Sequence, residues 1–251
     1  ISSMMKYCIN HNKNDKAISI YEQYDGQHND VTNLLLLKAC CNIGDYGKIP
    51  KYINLNVGNL NNHSIEFMTT LIDFYGKNGD INNALNIFDN IPQNKRNIVF
   101  INAMMNAYNN NNQYNKSISL YQRYDDQHDD ISNILFIKAC INIGDYDKVH
   151  QFINSLNIEN VNNHSIEFMT TLIDFYGKIG DINNARNVFD NIDQNLKNIV
   201  SINAMMNAYN KNNQFDKSIS LYQQCNNNNI KPNDTSNTLF IKACTNIGDY
   251  D

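Results

Sequence analysis

The chain has 251 residues, 42% of them hydrophobic and 18% charged, and a formal net charge of −5. That apolar content supports a buried core and excludes wholesale disorder, although about one residue in five is asparagine. Sparse charge and net acidity argue against a protein that grips nucleic acid by charge alone, and no apolar run approaches the roughly 18 residues of a membrane span.

In chain order, the first strong joint is Gly44-Asp45, a glycine able to end one helix followed by an aspartate able to cap the next. Pro50 falls inside the second helix expected there, where it would cost about 3 kcal/mol. Val57-Gly58 reads as an irregular connection before the next pair. Beyond it, Met68, Leu71, Ile72 and Tyr75 lie at i, i+3, i+4 and i+7, the stripe of an amphipathic helix. Gly79 ends that helix, Asp80 caps its successor, and Ile81, Ala84, Leu85 and Phe88 form the second buried stripe. An Asn-rich stretch, Asn109 to Gln113, serves as a looser turn in the following pair. Asp125-Asp126 and Asp129-Asp130 make an acidic cluster read as an exposed loop between units. Joints of the first kind return at Gly144-Asp145, Gly180-Asp181 and Gly248-Asp249, and the looser turn returns at Asn210 to Gln214.

The segment HSIEFMTTLIDFYGK begins at His63 and again at His164, and only seven of the 46 positions from His63 to Tyr108 differ in the second copy. Such fidelity makes the chain an array of helical hairpins. Helices expected at about 12 to 14 residues are marginal alone, so stability must come from stacking. Cys40, Cys140 and Cys244 recur in the segment KAC and read as small buried helix residues, and no CxxC pair occurs. Cysteine usage points weakly to a reducing compartment. The six histidines occupy turns and helix ends without metal or base spacing. Neither a Gly-rich phosphate loop nor a nucleophile elbow is present, so no enzyme, cofactor or metal is expected within this stretch. The chain opens at Ile1 and stops inside a unit, which reads as a fragment of a longer array.

IVSINAMMNAYNKNNQFDKSISLYQQ (Ile199 to Gln224), closed by IKPN, strongly resembles the pentatricopeptide pattern VVSYNALI-AY-K-G with AL-LF-M and IKPD. TLFIKACTNIGDYD resembles the longer L variant, with VLKAC. IEFMTTLIDFYGKNGDINNALNIFDNIP is similar to the short S variant, ALIDMYAKCG-I with VFD-MP. The tetratricopeptide marks are absent. The order resembles the PLS subclass: P over 1–29, L over 30–64, S over 65–97, P over 98–129, L over 130–165, S over 166–198, P over 199–233 and a partial L over 234–251.

The resemblance implies an all-α fold, a right-handed superhelical α-solenoid, and sequence-specific binding of single-stranded RNA at one base per repeat. Physically, a short polar side chain can hydrogen-bond a base edge while flanking apolar residues sandwich the ring. The implied base-reading pairs are Ser2 with Asn29, Thr69 with Asn97, Asn102 with Asp129, Thr170 with Asn198 and Asn203 with Asn233. In the family, Thr or Ser with Asn accompanies adenine, Asn with Asp uracil, and Asn with Asn cytosine. Leu34 and Ile134 stand at the L-type reading places and cannot hydrogen-bond a base; Thr238 can. The expected RNA is 5′-ANAUNAC-3′. Val31, Val99, Ile131 and Val200 are the implied base-sandwiching residues, a place where the S-type repeats carry Glu66 and Glu167. Lys38, Lys138 and Lys242 are either phosphate contacts or ordinary solvated residues. The polar rows Asn102, Asn106, Asn110 and Thr69, Asp73, Lys77 continue below the reading residues. PLS proteins often carry C-terminal extensions, some with a zinc deaminase that edits organellar RNA; its signature does not occur before Asp251. Residence in the mitochondrion or another organelle follows by resemblance, with the cytoplasm as the alternative. Beside RNA, the expected partners are RNA-processing or editing proteins and no membrane. The alternative function is a protein-binding helical scaffold, which the net acidity and Glu66 and Glu167 favour.

Overall fold

A computed structural model describes residues 1–45, 63–124, 128–156, 164–227 and 230–248. Among them lie fourteen α-helices, one short 3-10 turn and no strand. They form two compact units, residues 1–139 and 140–251. The first holds α1 (Ser2–Asn10), α2 (Asn14–Glu22), α3 (Asp30–Ile43), α4 (Ile65–Lys77), α5 (Ile81–Asn90), α6 (Ile98–Asn110), α7 (Tyr114–Arg123) and the start of α8 (Asp130–Ile143). The second holds α9 (Tyr146–Ser155), α10 (Ile166–Ile179), α11 (Ile182–Asn191), α12 (Ile199–Lys211), α13 (Phe215–Asn227) and α14 (Asp234–Ile247). Pro50, Val57-Gly58, Asp125-Asp126 and Asp249 fall outside the described residues.

The α4–α5 hairpin shows how the sequence builds each pair. Ser64 caps α4 by accepting from the Phe67 N–H. Gly79, at φ 80°, reverses the chain, and Asp80 caps α5 through the Asn83 N–H. The expected stripe of Met68, Leu71, Ile72 and Tyr75 is buried, joined by Phe67 and Phe74. On α5 the expected Leu85 is only half-buried; Ile87 lies inside instead. Burying one such large apolar side chain contributes about 1.5–3 kcal/mol.

Stacking supplies the rest of the stability. In the first unit α4 packs between α3 and α6, and α5 packs against α4 and α6. In the second, α12 packs between α10 and α14. Successive first helices therefore lie side by side within each unit, presenting one face in series. Four of the second helices, α5, α7, α9 and α11, are shorter than expected at ten residues each, whereas α13 has the expected length of 13. After α5 and α11 the backbone turns extended at Ile91 and Ile192, whose side chains tuck into the core and end the helix.

The Asn-rich turns are specific rather than loose. Asn12, Asn112 and Asn213 take the left-handed conformation, at φ 56°, 58° and 57°, where the other joints use glycine. Asparagine tolerates that region better than other side-chain-bearing residues. Cys40 and Cys140 are buried in first helices as expected, whereas Cys244 is half-buried.

Candidate nucleic-acid interface

The face shared by the first helices begins with their N-terminal turns. Asn29, Asn97, Asn198 and Asn233 are the N-caps of α3, α6, α12 and α14, each accepting backbone N–H groups of the first turn. Asp129 does the same for α8, accepting from the Ser132 N–H at 2.8 Å. All five residues expected to end a repeat and read a base thus also begin the next helix. Sequence reasoning missed this second duty. Its signal was Asn or Asp followed three residues on by Thr or Ser, as in Asn29/Thr32, Asn198/Ser201 and Asn233/Ser236, where reciprocal capping boxes form.

Two of the five expected pairs meet directly. The Asn102 Nδ2 donates to both carboxylate oxygens of Asp129, at 3.0 and 3.2 Å. The Asn203 Nδ2 donates to Asn233 Oδ1 at 3.1 Å. In both cases the reader's own Oδ1 is buried with no partner in the protein. An unsatisfied buried acceptor costs about 1–3 kcal/mol, and the same state recurs at Asn109 and Asn210, further along the same two helices. No hydrogen bond joins the other pairs. The Thr69 hydroxyl bonds back to the Ile65 carbonyl, and Thr170 Oγ1 donates to the Ile166 carbonyl at 2.6 Å. Ser2 is half-buried on α1 and makes no bond to Asn29.

Val31, Val99, Ile131 and Val200 sit one residue into α3, α6, α8 and α12, and are 54%, 48%, 58% and 58% exposed. Water-exposed β-branched residues at the same helical place in each case make apolar steps along the polar face. Glu66 and Glu167 occupy that place on α4 and α10 and are exposed too. In the first unit these positions border a groove of about 750 Å³, lined by Glu66, Thr69 and Asp73 of α4, Val99, Asn102 and Asn106 of α6, and Ile131 and Leu135 of α8. Burial pushes the Asp73 carboxyl above its ordinary range; the Lys77 charge and a hydrogen bond to Asn106 offset this only in part. Glu66 and Asp73 give this stretch of the groove an acidic wall. Lys38, Lys138 and Lys242 are exposed on α3, α8 and α14.

Other asparagines bind the first helices to one another. Asn109 Nδ2 donates to the Leu135 carbonyl at 2.9 Å, and Asn210 Nδ2 to the Leu239 carbonyl at 2.8 Å. Asn111 bridges the Gly76 and Ala107 carbonyls at 2.6 and 2.8 Å; Asn212 does likewise for Gly177 and Ala208, both at 2.8 Å. Histidines are structural contacts. His63 Nδ1 lies 2.6 Å from Asp30 Oδ1, and His28 and His128 stack on Tyr21 and Tyr121 at 3.7 and 3.6 Å. Among the described residues no group of His, Cys, Asp and Glu could hold a metal.

Stacked hairpins with an aligned row of polar first-turn residues define a helical-repeat protein. Four of its hairpins are pentatricopeptide repeats, matched by the PPR repeat family model over residues 67–95, 99–124, 168–195 and 200–230. A chloroplastic pentatricopeptide repeat-containing protein of Arabidopsis thaliana is 26% identical over 229 residues, 88% of this chain and 30% of the relative. A mitochondrial one from the same plant is 25% identical over 244 residues, 95% of this chain and 34% of the relative. The chain therefore spans about a third of the length of these relatives. Among solved structures it resembles the pentatricopeptide repeat protein PPR10 from maize, with TM-score 0.59, 17% identity, and coverage of 99% of this chain and 37% of that one. PPR10 in complex with an 18-nt psaJ RNA element matches with TM-score 0.65 at 14% identity, covering 99% of this chain and 43% of that one. These likenesses show the fold, an α-solenoid of stacked hairpins.

Proposed function

We propose that the chain binds single-stranded RNA through a PLS array, with the repeat boundaries given by the sequence pattern, and serves organellar RNA processing. The observation that carries this reading is a geometry shared by both units: the expected readers Asn102 and Asn203 each donate to the residue that caps the next first helix, Asp129 or Asn233. The solved PPR10 complex with RNA and the organellar names of the relatives support the same reading.

Hydrogen-bond bookkeeping supports the base assignments. Asn102 has given its donor to Asp129, so that pair retains acceptors, which suit the N3–H of uracil. Asn203 likewise retains an acceptor, but Asn233 adds its own Nδ2 donor, matching the amino group and ring nitrogen of cytosine. Thr69 has donated its hydroxyl proton and Asn97 has used its oxygen in capping, leaving an acceptor and a donor that suit adenine. The same display serves both amino bases; the choice between them follows the family resemblance. The preferred RNA is 5′-ANAUNAC-3′. An electrophoretic shift tests this directly: preference over a scrambled RNA is expected, and equal binding of the two discards the reading.

A scaffold for a protein partner is the second reading, favoured by the acidic wall of Glu66 and Asp73 in the groove. Crosslinking in cells separates the two, since RNA reading requires an enriched sequence motif among the recovered transcripts.

A further inference from the structure

Two glycines of this chain stand where the S-type pattern has alanine: Gly76 and Gly177 occupy the A of ALIDMYAKCG. Neither needs a left-handed backbone, so conformational freedom does not account for them. Their surroundings do. A Cβ added at Gly76 would lie 2.5 Å from the Ala107 Cβ and 2.9 Å from its Cα, and at Gly177 the same distances hold to Ala208. The first helices α4 and α6, and α10 and α12, therefore touch backbone to side chain without a spacer. At the same height Asn111 clamps Gly76 to Ala107 by two hydrogen bonds, and Asn212 clamps Gly177 to Ala208. One turn higher on the first pair, Asp73 and Asn106 line the same groove from the two sides of that seam. The readers Thr69 and Asn102 stand on the same two helices above these ties, and so do Thr170 and Asn203 in the second unit.

We propose that Gly76 and Gly177 are positioning residues that lock each S-type repeat to the P-type repeat after it, making a rigid two-base module with a fixed base step. This rests on the RNA reading above. Each module then reads two contiguous bases, A-U in the first and A-C in the second. The L-type places, which carry Leu34 and Ile134, impose no such adjacency. An extra nucleotide beside an L-type place is tolerated; one inserted between the two bases of a module is not.

The test uses the whole chain and two readouts. Hydrogen exchange without RNA should show α4 and α6 protected as one unit; in Gly76→Ala the two should exchange separately, and adding Ala107→Gly should rejoin them. If α4 and α6 already exchange independently in the unaltered chain, the rigid module is wrong, whatever RNA does. Binding of 5′-ANAUNAC-3′ should fall about tenfold, or 1.4 kcal/mol, when a nucleotide is inserted between its third and fourth bases. Insertion beside the second base should cost much less. Gly76→Ala should abolish that difference and Gly76→Ala with Ala107→Gly should restore it. Equal penalties for the two insertions in the unaltered chain, or a Gly76→Ala defect that Ala107→Gly does not repair, overturn the proposal. Indifference of the unaltered chain to the scrambled RNA instead discards the RNA reading, leaving the exchange result to judge the module.

Discussion

The two near-copies, whose described residues include 63–124 and 164–227, are built alike and, on the proposed reading, differ where a base is distinguished. Ser64 and Ser165 cap α4 and α10 through the same bond, at 3.2 Å in both. Even the loop that closes each second helix keeps its contact with altered chemistry. Arg96 lies over the Phe88 ring at 5.0 Å and Lys197 over Phe189 at 4.9 Å, and each donates to a carbonyl of the preceding helix end. Against this sameness, Asp129 stands where the second copy has Asn233, each holding its reader while capping the next helix. On the proposed reading, scaffold and specificity are thus separable in this fold, because the scaffold contacts come from the helix faces and the difference sits at a cap.

The largest effect tests the sameness. Phe74→Ala and Phe175→Ala each empty a fully buried site, and each should cost about 3–5 kcal/mol. Denaturant titration should find the two losses alike; a clear inequality would break the equivalence of the copies. Next, the difference can be exchanged. Asp129→Asn and Asn233→Asp should swap the uracil and cytosine preferences by about 1–3 kcal/mol of discrimination, measured on RNAs varied at one base, with little change in melting. Asp129→Ala, by contrast, should also lose about 1 kcal/mol of stability, the cost of a missing cap.

Smaller effects come with pH. The folded value of Asp73 lies above its ordinary 3.8 because burial disfavours the charge. Its contribution to stability is therefore complete below 3.8 and lost as pH rises through the raised value. Asp30 is the opposite case. Burial alone would raise it, but hydrogen bonds from His63 and the Ser64 N–H, with the His63 charge, hold it below 3.8. Its stabilisation is present above 3.8 and fades as pH falls through the lowered value. Asp73→Asn should flatten the stability profile just above 3.8, and Asp30→Asn just below it, in melts scanned across that range. The smallest effect is at Arg186, which replaces Leu85 and pairs with Asp190 at 3.2 Å in an exposed bridge. Arg186→Ala should change stability by less than about 1 kcal/mol.

Much of this fold is legible in the sequence because it is local. Gly79 and Asp80 mark a joint by their own conformational and capping chemistry, and Met68 to Tyr75 declare a buried face by spacing alone. The reading pairs Asn102/Asp129 and Asn203/Asn233 were accessible through family resemblance, and the structure brings both into contact. What stayed hidden depends on which helix lies beside which. Nothing near Gly76 in the chain announces Ala107, and Asn111 looks like one more polar turn residue until its amide is seen across the seam. Ile87 replaces Leu85 in the core because spacing alone leaves open which flank of the stripe the neighbouring helices cover.

The double duty of the capping residues has an evolutionary consequence. A helix N-terminus accepts only a few side chains, with Asn and Asp near the top of that short list. On the proposed reading, those two also separate a cytosine from a uracil. Their codons differ by a single nucleotide, so one point mutation at Asp129 or Asn233 would redirect the array to a different transcript while the fold stays capped. Such a chain can track a drifting target without passing through an unfolded ancestor.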